Sequence, residues 1–261
     1  MSGSAPLVFA GSRPLRESAL AAFRVADRFR GGLAAVCTEL CMPLPGLGEV
    51  ESHHRAAEAA HRLARRLLEI DGIRVVVRGS VHRGPAVWVS NHLSYLDPLV
   101  FGALQPMVAI AKAELAGWPI VGNLARRMGT LFIRRGDPHH GARVLRQALR
   151  RLAAGVPVLN FPEGTTTDGS GELLAFQRGV FGLARRAGIP VVPVGLALDP
   201  ADACWIGGAA FLPHYLRMTS RPGLVARLTV GRPVDAREFP SSDACAEAMR
   251  SEVSRLLGAR R

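Results

Sequence analysis

The stretch AVWVSNHLSYLDP, residues 86–98, decides the fold class that the sequence predicts. Its first five residues form a mostly apolar run of the length that a buried strand needs. Asn91 and His92 follow at once. Asp97 and Pro98 then supply an acidic cap and a proline, which both favour the first turn of a helix. A buried strand that passes directly into a helix is typical of a βα unit.

The same alternation continues on both sides of this stretch. Strands are predicted at 73–77, 86–90, 108–111, 130–134, 156–161, 190–197 and 224–230, and helices at 97–104, 117–127, 138–154, 177–187 and 243–257. Alternating strands and helices predict an α/β fold with a central, mostly parallel sheet flanked by helices. We assign this α/β domain to residues 71–261.

Two basic amphipathic helices are predicted before the sheet, at residues 15–30 and 52–70. In the first, apolar residues recur at spacings of three and four and so share one face: Leu15, Ala19, Ala22, Ala26, Phe29 and Leu33. Its arginines lie outside this stripe. Such a helix lies in an anionic lipid interface, or it packs its stripe on the core and leaves a solvated basic side.

The charge balance limits the partners of the protein. Lys and Arg number 33 against 21 for Asp and Glu, which gives a net charge of +12. This excess favours binding to nucleic acid, anionic lipid or phosphorylated ligands. A nucleic-acid-binding protein is the remote alternative, because aromatic residues make up only 6% of the chain and no known binding motif occurs.

Composition excludes several other classes. At 48% hydrophobic residues the chain is an ordinary globular protein. Its four cysteines show no metal-binding or disulfide spacing, so we expect a reducing compartment and no metal site. No uncharged apolar run reaches the ~20 residues of a transmembrane helix. We therefore expect a cytoplasmic protein that can lie on a membrane and does not cross it.

His92 and Asp97 are the candidate catalytic pair. On a continuous helix, side chains five residues apart point about 140° away from each other. A turn between the strand and the helix lets them converge instead. The carboxylate then accepts a hydrogen bond from one ring nitrogen and leaves the other as a general base. The alternative is a solvent-facing histidine and an aspartate that only caps the helix.

Two further motifs follow apolar strands. FPEGTTTDG, residues 161–169, places a carboxylate and several hydroxyls after one strand, and GTLFIRR, residues 129–135, ends another in two arginines. Sites in α/β proteins form at the carboxyl ends of parallel strands. The arginine fork suits phosphate. An ordinary turn and solvated surface charge are the respective alternatives.

In this order the motifs resemble the blocks of the glycerolipid acyltransferase family, which includes 1-acyl-glycerol-3-phosphate acyltransferases. The blocks NHxxxxD, GxxFIxR and FPEGT correspond to residues 91–97, 129–135 and 161–165, and IPVVPVG at 189–195 resembles a fourth. The stretches AKAEL at 111–115 and FQRG at 176–179 are also similar to the family. The resemblance covers roughly residues 73–231.

The resemblance implies acyl transfer from the thioester of acyl-CoA or acyl carrier protein to a lysolipid hydroxyl. His92 would remove the hydroxyl proton and Asp97 would orient the ring, with no covalent intermediate and no cofactor. The implied substrate-binding residues are Arg135, Lys112 and Arg178 for an anionic head group, Glu163, Gly164, Thr165 and Thr166 for the acceptor, and Pro193 for the shape of the site. The resemblance also favours residues 1–70 as a helical membrane-interface element on an anionic membrane surface. We therefore expect a peripheral protein on the cytoplasmic face of a membrane, without a transmembrane span.

Residue 166 departs from the family pattern. The third block usually continues with an arginine, and here that residue is Thr166. Lyso-ornithine-lipid acyltransferases, a branch of the family, often lack this arginine, and residues 205–214 also resemble that branch. We rank lysophosphatidate first as acceptor, with lyso-ornithine lipid or another lysolipid as the alternative. A thioesterase-like hydrolase and a catalytically inactive lipid-binding relative are further alternatives.

Overall fold

The computed structural model describes residues 15–41, 48–170, 173–207, 209–220 and 223–258, with side chains from residue 22 onward. Its helices are α1 (Leu15–Cys41), α2 (Glu49–Asp71), α3 (Asp97–Gly102), α4 (Pro119–Arg127), α5 (Pro138–Ala153), α6 (Gly179–Ala187), α7 (Phe211–Ser220) and α8 (Ser242–Gly258). Its strands are β1 (Arg74–Arg78), β2 (Val87–Ser90), β3 (Val108–Lys112), β4 (Leu131–Ile133), β5 (Val158–Asn160), β6 (Pro190–Asp199), β7 (Val225–Val230) and β8 (Val234–Asp235). Residues 1–14 of the predicted membrane-interface element, and the side chains of Leu15 and Ala19, lie outside the described residues.

Local sequence explains several of these elements. Helix α5 begins where Asp137 accepts a hydrogen bond from the backbone N–H of His140, at 2.9 Å, with a proline at the first helical position. Val144, Ala148 and Leu152 are four residues apart on α5, and all three are buried against the sheet. The sequence therefore sets both where α5 starts and which side faces the core.

The strands form one sheet in the order β1-β7-β6-β2-β5-β3-β4, with β8 beside β6. Strands β2 to β6 run parallel to one another, which confirms the mostly parallel sheet. Strand β7 is antiparallel to β6, and Val225 pairs with Asp199. The chain between these two residues, which includes α7, thus leaves and rejoins the sheet at one edge. This edge is where the parallel strands end.

The two faces of the sheet are covered by separate apolar clusters. Val87 and Val89 of β2 face a cluster that also contains residues of α5, α6 and α8. Trp88, between them, is fully buried on the opposite face with residues of α2 and α3. This alternation is that of a strand buried on both sides. The core therefore fixes β2, and with it the position of the residues that follow.

Helix α1 lies across α2 through a pair of small residues. A Cβ placed on Gly31 would lie 3.4 Å from Ile70, and one on Gly32 would lie 3.7 Å from Leu67. The predicted stripe is on another side of α1, where Phe29 and Leu33 are 47% and 44% exposed. The described part of the stripe thus does not pack on the core. None of the helices in the described ranges combines the length and the hydropathy that crossing a bilayer requires.

Asp71, the last residue of α2, is a buried carboxylate whose charge destabilises the fold. The hydroxyl of Tyr215 donates a hydrogen bond to its Oδ1 at 3.0 Å. Burial raises the pKa of Asp71 from 3.8 to about 6, against the lowering effects of the Tyr215 bond and the Arg28 charge. The destabilisation is absent below pH 4, grows as the pH rises to 6, and then amounts to roughly 3 kcal/mol.

We therefore expect Asp71→Asn to stabilise the protein at neutral pH. The amide oxygen keeps an acceptor for Tyr215 and removes the buried charge. The free energy of unfolding should rise by up to about 3 kcal/mol at pH 7.5 and change little at pH 4. Urea denaturation at the two pH values measures the difference. An equal gain at both would show that Asp71 is not a charged, buried group in the folded protein.

Candidate active site

The motif residues meet at the edge where the parallel strands end. His92 follows β2, Lys112 ends β3, Arg135 follows β4 and Glu163 follows β5. The four strands are neighbours in the sheet and run in one direction. Residues far apart in the chain are thereby delivered to one edge, as in other α/β sites.

His92 and Asp97 are joined through a turn. The Nδ1–H of His92 donates a hydrogen bond to Oδ2 of Asp97 at 2.7 Å. The backbone N–H groups of Leu93 and Ser94 donate to the same oxygen, at 2.6 and 2.9 Å. Because a carboxylate only accepts, Nδ1 carries a proton, and in the neutral form of the ring the lone pair is therefore on Nε2. The fully buried carboxylate thus fixes one tautomer of His92.

The ring of His92 is also held from its face and its backbone. Phe161 stacks on the imidazole at a centroid distance of 4.2 Å and an interplanar angle of 12°. The carbonyl oxygen of His92 accepts from the backbone N–H of Thr167 at 2.8 Å. The His92 side chain is 19% exposed. The ring is therefore fixed in orientation and still reachable from outside.

Glu163 positions the His92 loop through both of its carboxylate oxygens. Oε1 accepts from the backbone N–H of His92 at 3.0 Å, and Oε2 accepts from that of Leu174 at 3.1 Å. Burial raises the pKa of Glu163, against the lowering effect of these two bonds and of the nearby His92. Sequence reasoning assigned Glu163 to the acceptor and did not predict these backbone contacts, which leave no trace in a sequence.

Asn91 has a structural role that sequence reasoning missed. Its amide donates to the carbonyl of Leu196 at 2.9 Å and accepts from the backbone N–H of the same residue at 2.8 Å. The side chain is 1% exposed. This reciprocal pair ties the end of β2 to β6 beyond the last backbone pairing. Its only sequence signal was its place as the first residue of the NHxxxxD block.

Two of the predicted cations border this edge. The guanidinium of Arg135 lies beside Gly164, where an added Cβ would be 3.7 Å from its Nε. Gly164 has a φ of 77°, a left-handed conformation that favours glycine. Lys112 pairs with Glu114 at 3.4 Å. The pKa of Glu114 is lowered first by a backbone hydrogen bond and further by Lys112 and Arg135, so both cations lie near this carboxylate.

Other predicted substrate-binding residues have different surroundings. Arg178 is largely exposed and pairs with Asp243 of α8 at 3.3 Å. Pro193 is buried in β6, and its ring lies against Gly231. In the loop after β5, Thr165 is exposed and Thr166 half-buried. The structure thus brings together His92, Asp97, Glu163, Gly164, Arg135 and Lys112, whereas the contacts of Arg178 and Pro193 are with other parts of the fold.

Helix α7 packs on the turn between His92 and Asp97, a contact that the sequence did not predict. The hydroxyl of Tyr95 lies 3.1 Å from Nδ1 of His214, and Nε2 of His214 lies 3.2 Å from the carbonyl oxygen of Cys204. The carbonyl can only accept, so Nε2 carries the proton and Tyr95 donates to Nδ1. Burial lowers the pKa of His214, which favours this neutral form. The Tyr95 ring also contacts Phe211 and Trp205.

Comparisons with known proteins show which family this protein belongs to. A family model described as Acyltransferase matches residues 72–197. The chain is 34% identical to the lyso-ornithine lipid O-acyltransferase of Pseudomonas aeruginosa over 190 residues, which are 70% of this chain and 72% of that protein. The protein belongs to the Acyltransferase family and is an enzyme of this class, which confirms the resemblance found in the motifs.

Two further relatives support the same assignment. The 1-acyl-sn-glycerol-3-phosphate acyltransferase of Neisseria gonorrhoeae is 34% identical over 146 residues, 56% of each chain. The crystal structure of the 1-acyl-sn-glycerophosphate acyltransferase PlsC from Thermotoga maritima matches with a TM-score of 0.64 and 25% identity, over 95% of this chain and 97% of that one. The α/β fold with a mostly parallel sheet is therefore that of a lipid-biosynthetic acyltransferase.

Proposed function

We propose that this acyltransferase moves a fatty acyl group from the thioester of acyl-CoA or acyl carrier protein to the hydroxyl of a lysolipid, with His92 as general base. The observation that carries the proposal is the 2.7 Å bond between Nδ1 of His92 and the buried Asp97. This bond leaves the Nε2 lone pair on a partly exposed ring. An imidazole in this state is suited to remove a hydroxyl proton near neutral pH.

The mechanism needs no covalent acyl-enzyme. Nε2 of His92 takes the hydroxyl proton while the hydroxyl oxygen attacks the thioester carbonyl carbon. The resulting tetrahedral intermediate collapses with cleavage of the C–S bond, and the departing sulfur takes the proton from Nε2. The products are an ester and a free thiol, and the ring returns to its starting state. The Asp97 carboxylate stabilises the imidazolium that forms between the two proton transfers.

For the acceptor we propose lyso-ornithine lipid, with lysophosphatidate as the second candidate. From the sequence we rank lysophosphatidate first, because that activity is widespread in the family that the motifs resemble. The order changes because the match to the Pseudomonas aeruginosa relative covers more of this chain than the match to the Neisseria gonorrhoeae one. Thr166, which stands where the family pattern has an arginine, supports the same acceptor. A phosphate monoester carries nearly two negative charges and gains from each added cation, whereas the ornithine head group has no phosphate.

An acceptor panel with Thr166→Arg tests this proposal. With labelled acyl-CoA or acyl carrier protein, the wild type should acylate lyso-ornithine lipid best and release little free acid when no acceptor is present. Thr166→Arg should shift the ratio of kcat/KM toward lysophosphatidate by about tenfold or more, since one charge-assisted bond is worth that factor. Ser170→Arg makes the same charge change further along the loop and serves as the control.

The panel has two contrary outcomes. Free acid released at the same rate with and without an acceptor would identify a hydrolase and contradict acyl transfer. A ratio that moves less than threefold in Thr166→Arg would show that residue 166 does not face the head group. Thr166 would then carry no information about the acceptor.

We further propose that α1, α4 and α7 form a peripheral membrane-binding face on the cytoplasmic side of an anionic membrane. Helices α1 and α7 line an apolar groove of about 530 Å³ that includes Phe29 and Leu212. Trp118, which precedes α4, packs edge-on against Phe211 with a distance of 5.8 Å between the ring centroids. Exposed apolar side chains continue across the three helices, with Phe23 71%, Ile120 52% and Leu212 50% exposed. Apolar side chains of this kind, with the basic excess of the chain, favour an anionic lipid interface.

Polar substitutions on α1 test the membrane-binding face. Phe23→Ser combined with Phe29→Ser should weaken binding to anionic liposomes by at least about tenfold, because each phenylalanine contributes roughly 1.5–3 kcal/mol when buried in lipid. Raised salt should weaken binding of the wild type. Liposome sedimentation measures both effects. Leu149→Ser, at an exposed leucine on α5, is the matched control, and an equal loss in this control would contradict the proposal.

A further inference from the structure

A cavity with a strongly cationic lining opens along the edge strand of the sheet. It has a volume of about 400 Å³ and lies between β4, the end of α4 and one side of α5. Its polar lining includes Arg126, Thr130, Arg143, Gln147 and Arg151, and Phe132 adds an aromatic ring. No acidic residue is among the described residues that line it. The cavity therefore suits a compact anion with an apolar part.

Two of the arginines that line the cavity have surroundings that favour the binding of an anion. Arg126 is fixed by hydrogen bonds to the carbonyl of Ala116 at 2.6 Å and to Oδ1 of Asn123 at 3.1 Å. The Nε of Arg151 is buried and has no hydrogen-bond partner among the described residues. The nearby carboxylate of Glu49 on α2 lies 3.6 Å from Arg150 instead. A buried donor without a partner is costly, and an anion in the cavity would remove that cost.

We propose that this cavity binds the phosphorylated nucleotide end of CoA when acyl-CoA is the donor, an inference that rests on the proposed function. Planar guanidinium groups bind phosphate oxygens in pairs. The guanidinium of Arg126 lies over the Phe132 ring, with its Cζ 6.0 Å from the ring centroid, which holds this arginine beside the cavity. An amide and a hydroxyl in the lining supply further hydrogen bonds. The volume is within the range of small-molecule sites. A carrier protein would instead need a broad surface of about 800 Å².

The position of the cavity relative to His92 supports the same ligand. Strands β3 and β5 separate β4 from β2, so the carboxyl ends of β4 and β2 are three strand spacings, or about 14 Å, apart. The cavity extends from this end of β4 along the strand to Thr130 and Arg126, which precede it, a further distance of about 10 Å. His140 lines the cavity near the carboxyl end of β4, where it accepts a hydrogen bond from the backbone N–H of Arg134 at 3.2 Å. The next residue, Arg135, borders Gly164. The extended pantetheine arm of CoA can follow this edge and bring the thioester to His92.

Binding of 3′,5′-ADP tests the site without any chemistry at His92. Isothermal titration calorimetry should detect binding to the wild type and a loss of affinity of at least about tenfold in Arg143→Glu, as expected for the loss of a charge-assisted contact. Arg151→Gln should show a similar loss. Arg146→Glu makes the same charge change on α5 outside the cavity lining and should bind like the wild type. An equal loss in Arg146→Glu would show a general charge effect and overturn the site.

Kinetics with two donors separates this inference from its alternatives. In Arg143→Glu the KM for acyl-CoA should rise at least about tenfold, and the KM for the acylated form of acyl carrier protein should stay unchanged. An equal rise for both donors would indicate a docking surface for the acidic carrier protein, and an unchanged KM for acyl-CoA would show that the cavity does not serve the donor. Both results overturn the inference and leave the proposed acyl transfer standing. Nucleotide binding without acyl transfer would overturn only the proposed function.

Discussion

His92→Ala is expected to lower the rate of acyl transfer by at least about 10²-fold, the usual contribution of a general base. The imidazole is partly exposed at the end of β2, and its principal bond is the one from Nδ1 to Asp97. Alanine removes the proton acceptor and leaves the buried strand before it unchanged. Initial rates of thiol release, measured with saturating lysolipid, give the ratio directly.

The control for His92→Ala is a histidine outside the site. His54, an exposed residue of α2, can be changed to alanine and should leave the rate unchanged. Thermal unfolding of both variants, followed by circular dichroism, establishes that they are folded. A folded His92→Ala variant that keeps more than about a tenth of the wild-type rate would rule out general-base catalysis by this residue.

Asp97→Asn should have an effect of similar size, about 10²–10⁴-fold in kcat. Three N–H groups converge on Oδ2 of Asp97, whereas its Oδ1 is buried with no hydrogen-bond partner among the described residues. An asparagine can keep its oxygen at the Oδ2 position and retain these three bonds. It lacks the negative charge that stabilises the imidazolium, and its NH₂ group would be buried without an acceptor.

Two measurements distinguish loss of the Asp97 charge from loss of the fold. The KM for the acyl donor should change little, because Asp97 is fully buried and the donor cannot touch it. The buried NH₂ group should cost about 1–3 kcal/mol of stability, which urea denaturation measures. A variant that is folded under the assay conditions and has an unchanged kcat would show that the carboxylate does not assist His92.

Much of the fold could be predicted because each strand and helix carries its own local signal. The apolar run of β2, the cap at Asp137 and the periodicity of α5 are all visible in the sequence. The direction of β7 is not visible in the sequence, because it depends on the edge at which the segment between β6 and β7 returns to the sheet. Helix α7 was also missed, since its sequence FLPHYLRMTS belongs to a mostly apolar stretch without a clear helical stripe. Its packing on Tyr95 is a long-range contact.

The candidate site could be predicted where position along a strand determines geometry. His92 and Glu163 directly follow neighbouring parallel strands, so their proximity follows from the order of elements. Long-range side-chain partners could not be predicted in the same way. Arg178 pairs with Asp243, which is 65 residues away, and the oxygens of Glu163 bond to backbone groups. The sequence also could not show whether the apolar stripe of α1 is buried or exposed, because packing on a core and binding to lipid require the same amphipathic pattern.

The contacts that fix the His92 ring determine which groups must still lose conformational entropy before the proposed reaction. Rotation of the imidazole would break the bond to Asp97 and the stack on Phe161 together, so the proposed base is held in one orientation before any lipid binds. Ordering reactants into a reactive geometry is a large part of an uncatalysed barrier. In the proposed mechanism, the groups that remain to be ordered are the two flexible substrates, the acceptor and the acyl donor. The entropy cost of each turnover would therefore come from ordering the lipid and the thioester, and not from ordering the imidazole.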